Sequence, residues 1–269
     1  MSEDNWLRTG IGRSTPDSIT LRGRDLAGEL MGKVSFTELA FLLVADRMPS
    51  AGETRLFDAS LVALADHGLT PSVLAARLTW TGATESLQGS VAAGLLGAGN
   101  VFLGVVEDTA RFLAAIIAEA GADVSETAAA ERAVAAEIAA GRRIPGLGHP
   151  VHKVEDPRTP RLYAIAGEAG IPTPHLRLLR TVAEAHAAAT GKTLPINGAG
   201  VAGAAFADLG FPPAIIRGFA LLARTAGLVG HLAEEMADPI GLRLWLDVEH
   251  RATYTAHIGD PGDPDARSS

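Results

Sequence analysis

The 269-residue chain contains no cysteine. That excludes a disulfide framework, a thiolate nucleophile and any zinc site built on sulfur, and it suits a reducing cytoplasm. Aromatic residues are scarce at 5%, and 23 Lys and Arg are outnumbered by 31 Asp and Glu, for a formal charge of -8. Such a chain repels nucleic-acid phosphate, and no Lys/Arg block is interleaved with aromatics, so nucleic acid is not an expected partner. No uncharged stretch approaches the ~18 apolar residues of a membrane span. The start "MSEDNWLRTG" carries acidic residues where a secretory signal needs a basic start and an apolar run. A soluble, cytoplasmic protein without a membrane partner is expected. Also missing are a Walker-type phosphate loop, an HExxH pair and a G-x-S-x-G elbow, so the sequence gives no sign of P-loop nucleotide, zinc-protease or serine-hydrolase chemistry.

What is present reads as helix. Hydrophobic residues make up 47% of the chain, enough for a sizeable core. Ala and Leu dominate, apolar positions recur at three and four, and no strand run is convincing, so the fold class is all-α. Helix starts are marked by Ser35 with Glu38 in capping-box spacing, by Thr70-Pro71 and Thr173-Pro174, and by Ser125-Glu126, which opens a helix running to Gly141. Pro212-Pro213 open the most hydrophobic one, "AIIRGFALLARTAGLVGHLAEEM", and the total is about ten helices. The longest connection, residues 141 to 158, is the expected hinge between a large helical domain and a smaller one. The tail "HIGDPGDPDARSS" is too polar and too rich in Pro and Gly to pack. The many glycines inside helices point to close approach of a backbone or a ligand, or simply to helix-helix packing.

Three groups of residues could carry chemistry. In "PGLGHP" the glycines Gly146 and Gly148 open backbone conformations closed to other residues and leave N–H groups bare for a phosphate or an adenine. His149 is thereby held on a constrained turn, where it can act as base, acid or donor near neutral pH. Arg158, after "DP", suits a carboxylate because its planar fork meets two oxygens at once. By themselves the two read equally well as a loop histidine and a surface arginine. Arg217, Arg224 and His231 recur every seven residues and fall near one helix face. Arg224, set among apolar neighbours, needs an acidic partner or a bound anion; His231 reads as a packed core histidine. His67, just before Gly68, reads as a helix-end histidine beside the dipole. Glu155 and Asp156 lie near His149 in sequence, but too few ligands converge for a metal site, and no metal is expected.

The segments "NWLRTGIG", "ITLRG", "ADHG", "SLQGSVAAGLLGAGNVF", "PGLGHPVHKVEDPR", "INGAGVAGAAF" and "LLARTAGLVGHLAEE" together resemble the citrate synthase superfamily. The likeness is to its short citryl-CoA lyase-type members and to the citrate synthase-like portion of ATP citrate lyase. The resemblance implies a two-domain helical fold, with 1–141 and 226–269 forming the large domain and 142–225 a small domain that carries CoA and substrate elements. It also implies a homodimer and coenzyme A bound, as a thioester substrate, near Pro145, Gly146, Leu147, Gly148 and Lys153. Carried over by position, His149 contacts the oxygen at the bond made or broken, Arg158 and Arg224 bind carboxylate, and His67 and Asn197 bind substrate. Arg243 corresponds to an arginine contributed across the dimer.

Two positions depart from the family pattern. The acid-base aspartate that follows the asparagine of "INGAG" is Ala199, and the second catalytic histidine falls at Phe102 or Leu103. Relatives that cleave citryl-CoA can also lack that histidine. Forming citrate from acetyl-CoA requires a base for a methyl proton of very high pKa, and losing such a base costs about 10²- to 10⁴-fold. Cleavage asks less: His149 takes a hydroxyl proton and arginines hold carboxylates, the final proton coming from water or an unassigned residue. Glu107 and Asp108, near that slot, read as solvated helix carboxylates. The expectation is a citryl-CoA lyase-like enzyme acting on an acyl-CoA that carries a carboxylate, with a CoA-thioester hydrolase or a catalytically silent CoA-binding subunit as alternatives.

Overall fold

The computed structural model describes residues 6–120 and 124–254. The polar tail, read above as unable to pack, lies outside them. Eleven α-helices occur among the described residues: α1 (Phe36–Ala45), α2 (Ala51–Ala65), α3 (Pro71–Gly82), α4 (Leu87–Leu96), α5 (Val105–Glu119), α6 (Glu126–Ala139), α7 (Arg158–Ala169), α8 (Pro174–Thr190), α9 (Gly198–Asp208), α10 (Pro213–Ala237) and α11 (Gly241–Arg251). The all-α class is therefore right in outline. One correction concerns strands: β1 (Gly12–Ser14), β2 (Ile19–Leu21) and β3 (Arg24–Asp25) form a small antiparallel sheet in the order β1-β2-β3. Strands of two or three residues are too short to show alternation. Arg22 and Gly23, both at positive φ (47° and 75°), make the two-residue turn between Leu21 and Arg24, as a twisted hairpin requires.

The helix starts expected from the sequence are found, with two departures in how they are capped. Ser35 and Glu38 form the expected reciprocal capping box, and Ser50 and Glu53 form another. Thr70 and Thr173 do precede a proline at the first helical position, but neither hydroxyl makes a cap bond. The start of α8 is instead capped from the end of α9, where the Asp208 carboxylate accepts from the N–H groups of His175 and Leu176. A partner distant in sequence thus replaces the adjacent hydroxyl.

The chain divides into two compact units, Met1–His67 with Ala98–Gly227 and Gly68–Gly97 with Leu228–Ser269. This partition of contacts differs from the division at 142 and 225 expected above. In the first unit α9 is the axis. Nearly all of "GAGVAGAAFAD" is buried, and α2, α5, α7 and α8 pack around it. Small residues make that possible: a side chain at Gly203 would overlap the carbonyl of Val106 on α5. Phe41, Phe57, Phe206, Phe211 and Phe219 close the core with edge-to-face contacts. The second unit has its own small core of Val73, Ala76, Leu228 and Leu232. There Arg77, 2% exposed, is neutralised by Glu234 and Glu235, and Glu235 also accepts from the Ile240 and Gly241 N–H groups that begin α11. Among the described residues, α10 is the single helix long and apolar enough to cross a membrane. Its Ile216, Phe219 and Ala220 belong to the core of the first unit.

Candidate active site

The turn that carries His149 is built before the histidine is placed. Gly146 and Gly148 have φ of +84° and +79°, which side chains with a Cβ rarely adopt. The chain then runs against residues 195–197: the Gly148 N–H donates to the Pro195 carbonyl, and the Asn197 N–H donates to the Gly146 carbonyl. Asn197 completes the join. Its Oδ1 accepts from the Gly200 N–H, capping α9, while its Nδ2 donates to the Gly148 carbonyl at 2.8 Å. Expected to touch substrate, Asn197 is engaged on both sides of its amide and fixes the turn to α9. Pro145 and Leu147 are half-buried in the same turn, and Lys153 is exposed with its ammonium on the His149 carbonyl at 3.1 Å.

His149 is half-buried, and its Nδ1 accepts from two backbone N–H groups, those of Val151 (3.1 Å) and His152 (3.0 Å). An accepting nitrogen carries no proton, so the neutral ring holds its hydrogen on Nε2. Burial pushes the imidazole below its ordinary pKa; Asp156 opposes this, and His152, His67 and Arg158 add to it. His149 is therefore a neutral donor. The expected role of taking a hydroxyl proton does not suit this tautomer, because Nε2 has no lone pair to receive it.

The structure brings His67 to this ring. It follows α2, and its imidazole stacks on His149 with centroids 5.1 Å apart. A third ring, which the sequence reading passed over, is His152, 4.5 Å from His149 and 5.7 Å from His67. One nitrogen from each of the three lies within 4.8 Å of the others. This corrects the expectation that too few ligands converge for a metal, since such spacing is within reach of a transition ion. The fit is poor at His149, however, whose Nδ1 is occupied by two donors and whose Nε2 bears the proton. The spacing of two histidines three residues apart in a tight turn was the available signal for His152.

Arg158 opens α7 and meets Asp156, two residues earlier, through both carboxylate oxygens at 2.9 and 2.7 Å. A further N–H donates to the Ala63 carbonyl, leaving two of the five guanidinium hydrogens for a ligand. Asp156 is fully buried and also accepts from the Arg158 and Gly198 backbone N–H groups. Burial alone would raise its pKa, but the Arg158 guanidinium and the Gly198 N–H outweigh that and hold the carboxyl far below the usual range. It is a fixed anion, not a base.

Arg224, on α10, is 7% exposed and its Nε is buried without a hydrogen-bond partner. Burial lowers its pKa, Asp66 opposes and Arg158 adds to the shift, so Asp66 and Arg158 both act on it. Arg217 and His231, expected near one face with it, have other neighbours: Arg217 pairs with Glu107 and donates to Asn100, and His231 lies with Arg77 and Glu234 in the second unit. Arg243 is exposed on α11, in the second unit. Phe102 is 47% exposed and Leu103 4%. Both lie in a π-helical turn, Gly99–Gly104, that leads into α5. Asp108 is exposed in the first turn of α5.

Comparison with known proteins follows the same lines. Residues 47–244 match the family described as citrate synthase, C-terminal domain. The structure of citryl-CoA lyase from Hydrogenobacter thermophilus superposes with a TM-score of 0.84 at 31% identity, covering 95% of this chain and 97% of that one. ATP citrate lyase from Methanothrix soehngenii, solved with citrate and coenzyme A, gives a TM-score of 0.79 at 23% identity, over 96% of this chain and 43% of that one. A citrate synthase-like protein of Aspergillus oryzae is 32% identical over 117 residues, 41% of this chain and 26% of that protein's length.

Proposed function

The chain belongs to the citrate synthase family, and we propose that within it this protein is a citryl-CoA lyase-like enzyme. It cleaves citryl-CoA, or a related 3-hydroxy-3-carboxyacyl-CoA, to an acyl-CoA and a keto acid. The observation that carries this reading is the gathering of His67, His149 and His152 with Arg158 and Arg224 in one unit, in a chain of which 95% matches a citryl-CoA lyase.

The chemistry divides among these groups. Arg158 and Arg224 hold substrate carboxylates, and the two free guanidinium hydrogens of Arg158 suit a bidentate contact. The Nε2 hydrogen of His149 donates to the hydroxyl oxygen as it becomes a carbonyl and steadies the charge that develops there, a contribution of about 10²- to 10³-fold for such donors. The C–C bond to the thioester methylene breaks, its electrons pass to the thioester as an enolate, and protonation at carbon gives the acyl-CoA. Coenzyme A lies along Pro145 to Gly148 with Lys153 at its phosphates, and Arg243 is contributed by a second copy. Ala199, at the first turn of α9, removes the carboxylate that deprotonates a methyl group in the synthase direction and leaves room for an acyl group bulkier than that of citryl-CoA, while Phe102 makes its slot less polar than a histidine would.

Incubation of the pure protein with citryl-CoA and mass analysis of products tests the reading. Acetyl-CoA with oxaloacetate supports it. Citrate with free CoA would make the protein a thioester hydrolase, and no turnover of any hydroxyacyl-CoA would make it a silent CoA-binding subunit.

A further inference from the structure

Cleavage of a hydroxyacyl-CoA needs a group that removes the hydroxyl proton and a group that returns a proton to carbon. His149 cannot do the first, because the two N–H groups on Nδ1 leave its proton on Nε2. Asp156 cannot, because four donors occupy its oxygens. Ala199 has no such group.

From the placement of the third imidazole we infer that His152 is the acid-base residue of this site, taking the place of the absent carboxylate. The inference rests on the reading above that the protein cleaves a hydroxyacyl-CoA. His152 is half-buried and stacks on His149 at 4.5 Å with planes 27° apart. Its ring nitrogens make no hydrogen bond among the described residues, so a lone pair is free to accept. A hydroxyl oxygen with two hydrogen bonds of about 2.8 Å at a tetrahedral angle spans about 4.6 Å between its partners. One nitrogen from each of the three histidines lies within 4.8 Å of the others, and with the His149 and His152 ring centroids 4.5 Å apart the edges of these two rings are within the span of one substrate oxygen. His152 takes the hydroxyl proton and becomes imidazolium; the C–C bond breaks, the C–O bond becomes a carbonyl and the electron pair moves to the thioester enolate. The hydroxyl oxygen and the departing methylene were bonded to the same carbon, so the same imidazolium hands its proton to the methylene and returns to its neutral form. No proton is gained or lost overall, and no further donor is needed.

His67 presents a ring at similar range, 5.1 Å from His149, and the experiment separates the two. The titratable and charged groups around this cluster are His149, at 4.5 Å, and Lys153 on the same turn, His67 at 5.7 Å, and Asp156 with Arg158, which act on the His149 ring.

The test is the pH dependence of kcat/KM for citryl-CoA cleavage in the full chain, its His152→Gln and His67→Gln variants, and His152→Ala with added imidazole. The backbone N–H that fixes His149 survives these changes. For His152→Gln we expect a fall in kcat of about 10²-fold or more, KM changed less than about threefold, and loss of the acid limb of the profile, while His67→Gln keeps that limb. Imidazole should restore activity to His152→Ala. A fall below tenfold with the acid limb intact, or loss of that limb in His67→Gln instead, overturns the assignment alone. Activity removed by chelation and restored by zinc would place the three nitrogens on a metal, and also overturns it. No cleavage by the unaltered protein removes the functional reading and the assignment together.

Discussion

Gly198 stands against the guanidinium of Arg158, and a methyl group in its place would overlap Cζ, Nε and Nη2 of that side chain. The Gly198 N–H meanwhile donates to Asp156, the anion that holds the same guanidinium. One backbone position on α9 therefore sets both the location and the counter-charge of a cation proposed to bind substrate. Gly198→Ala should displace Arg158 and raise KM for the carboxylated substrate by at least about tenfold, the scale of one charge-assisted hydrogen bond. A displaced Arg158 also leaves the buried Asp156 without its counter-charge, so stability should fall as well, by about 3 kcal/mol for a broken buried pair. Steady-state kinetics with a thermal melt would show this, and an unchanged KM would mean that Arg158 does not contact substrate.

The Asp156 carboxyl titrates below its unfolded value, so its stabilisation is complete above the unfolded aspartate pKa of about 3.9 and is lost as pH falls through the folded value. Replacing Asp156 by Asn leaves Arg158 without its counter-charge, and breaking a buried pair costs about 3 kcal/mol. Melting temperatures measured from pH 7 downward should show the unaltered protein well ahead at neutral pH, with the gap closing below about pH 4. A constant gap would show that the side chain acts by shape rather than charge.

Arg224 presents the opposite balance. Its burial with an Nε–H that has no partner disfavours the charge, so Arg224→Met should leave the melting temperature unchanged or raise it. The same change should weaken substrate by about 10- to 100-fold through the loss of charge-assisted hydrogen bonds. Stability and KM moving in opposite directions mark a residue retained for binding. A joint loss of folding and activity would mark a structural one.

Much of this was legible in the sequence because it is local. The capping box at Ser35 and Glu38, the proline at the start of α3 and α8, and the glycine turn before His149 are each written within a few adjacent residues. Arg224 was also legible, as a cation needing a partner, and Arg158 as a fork suited to a carboxylate. What escaped depends on contacts distant in sequence or on very short elements. Asp208 caps α8 from 33 residues away, and the sheet at 12–25 is too brief to show a period. His152 sat in plain view three residues after His149, but the third ring of the cluster, His67, is delivered from beyond the end of α2. Likewise, the part Asn197 plays in joining the turn to α9 depends on the Gly148 carbonyl, 49 residues away in sequence.

Ala199 makes the direction of reaction testable. If the absence of a carboxylate at this position is what disables condensation, Ala199→Asp should gain measurable release of CoA from acetyl-CoA and oxaloacetate, up to the roughly 10²- to 10⁴-fold attributable to a positioned base. Ala199 packs partly against the core, so a melt should accompany the assay. A folded variant with no gain would show that the site differs from a synthase at more than this residue.

Asn197 tests whether the turn acts through its rigidity. Its amide supplies the α9 cap and the bond to the Gly148 carbonyl, the residue next to His149. Asn197→Ala removes both, at about 1 kcal/mol for the cap and a similar amount for the second bond. Asn197→Asp retains the acceptor that caps α9 but places an oxygen against the Gly148 carbonyl. The two variants should therefore differ in stability yet both lose kcat, because each frees the turn that aims the Nε2 hydrogen of His149, and KM should change less than kcat. If Asn197→Asp kept full activity, the Gly148 bond would be irrelevant to catalysis. If both variants raised KM with kcat intact, Asn197 would be touching substrate directly, as its place in the sequence first suggested.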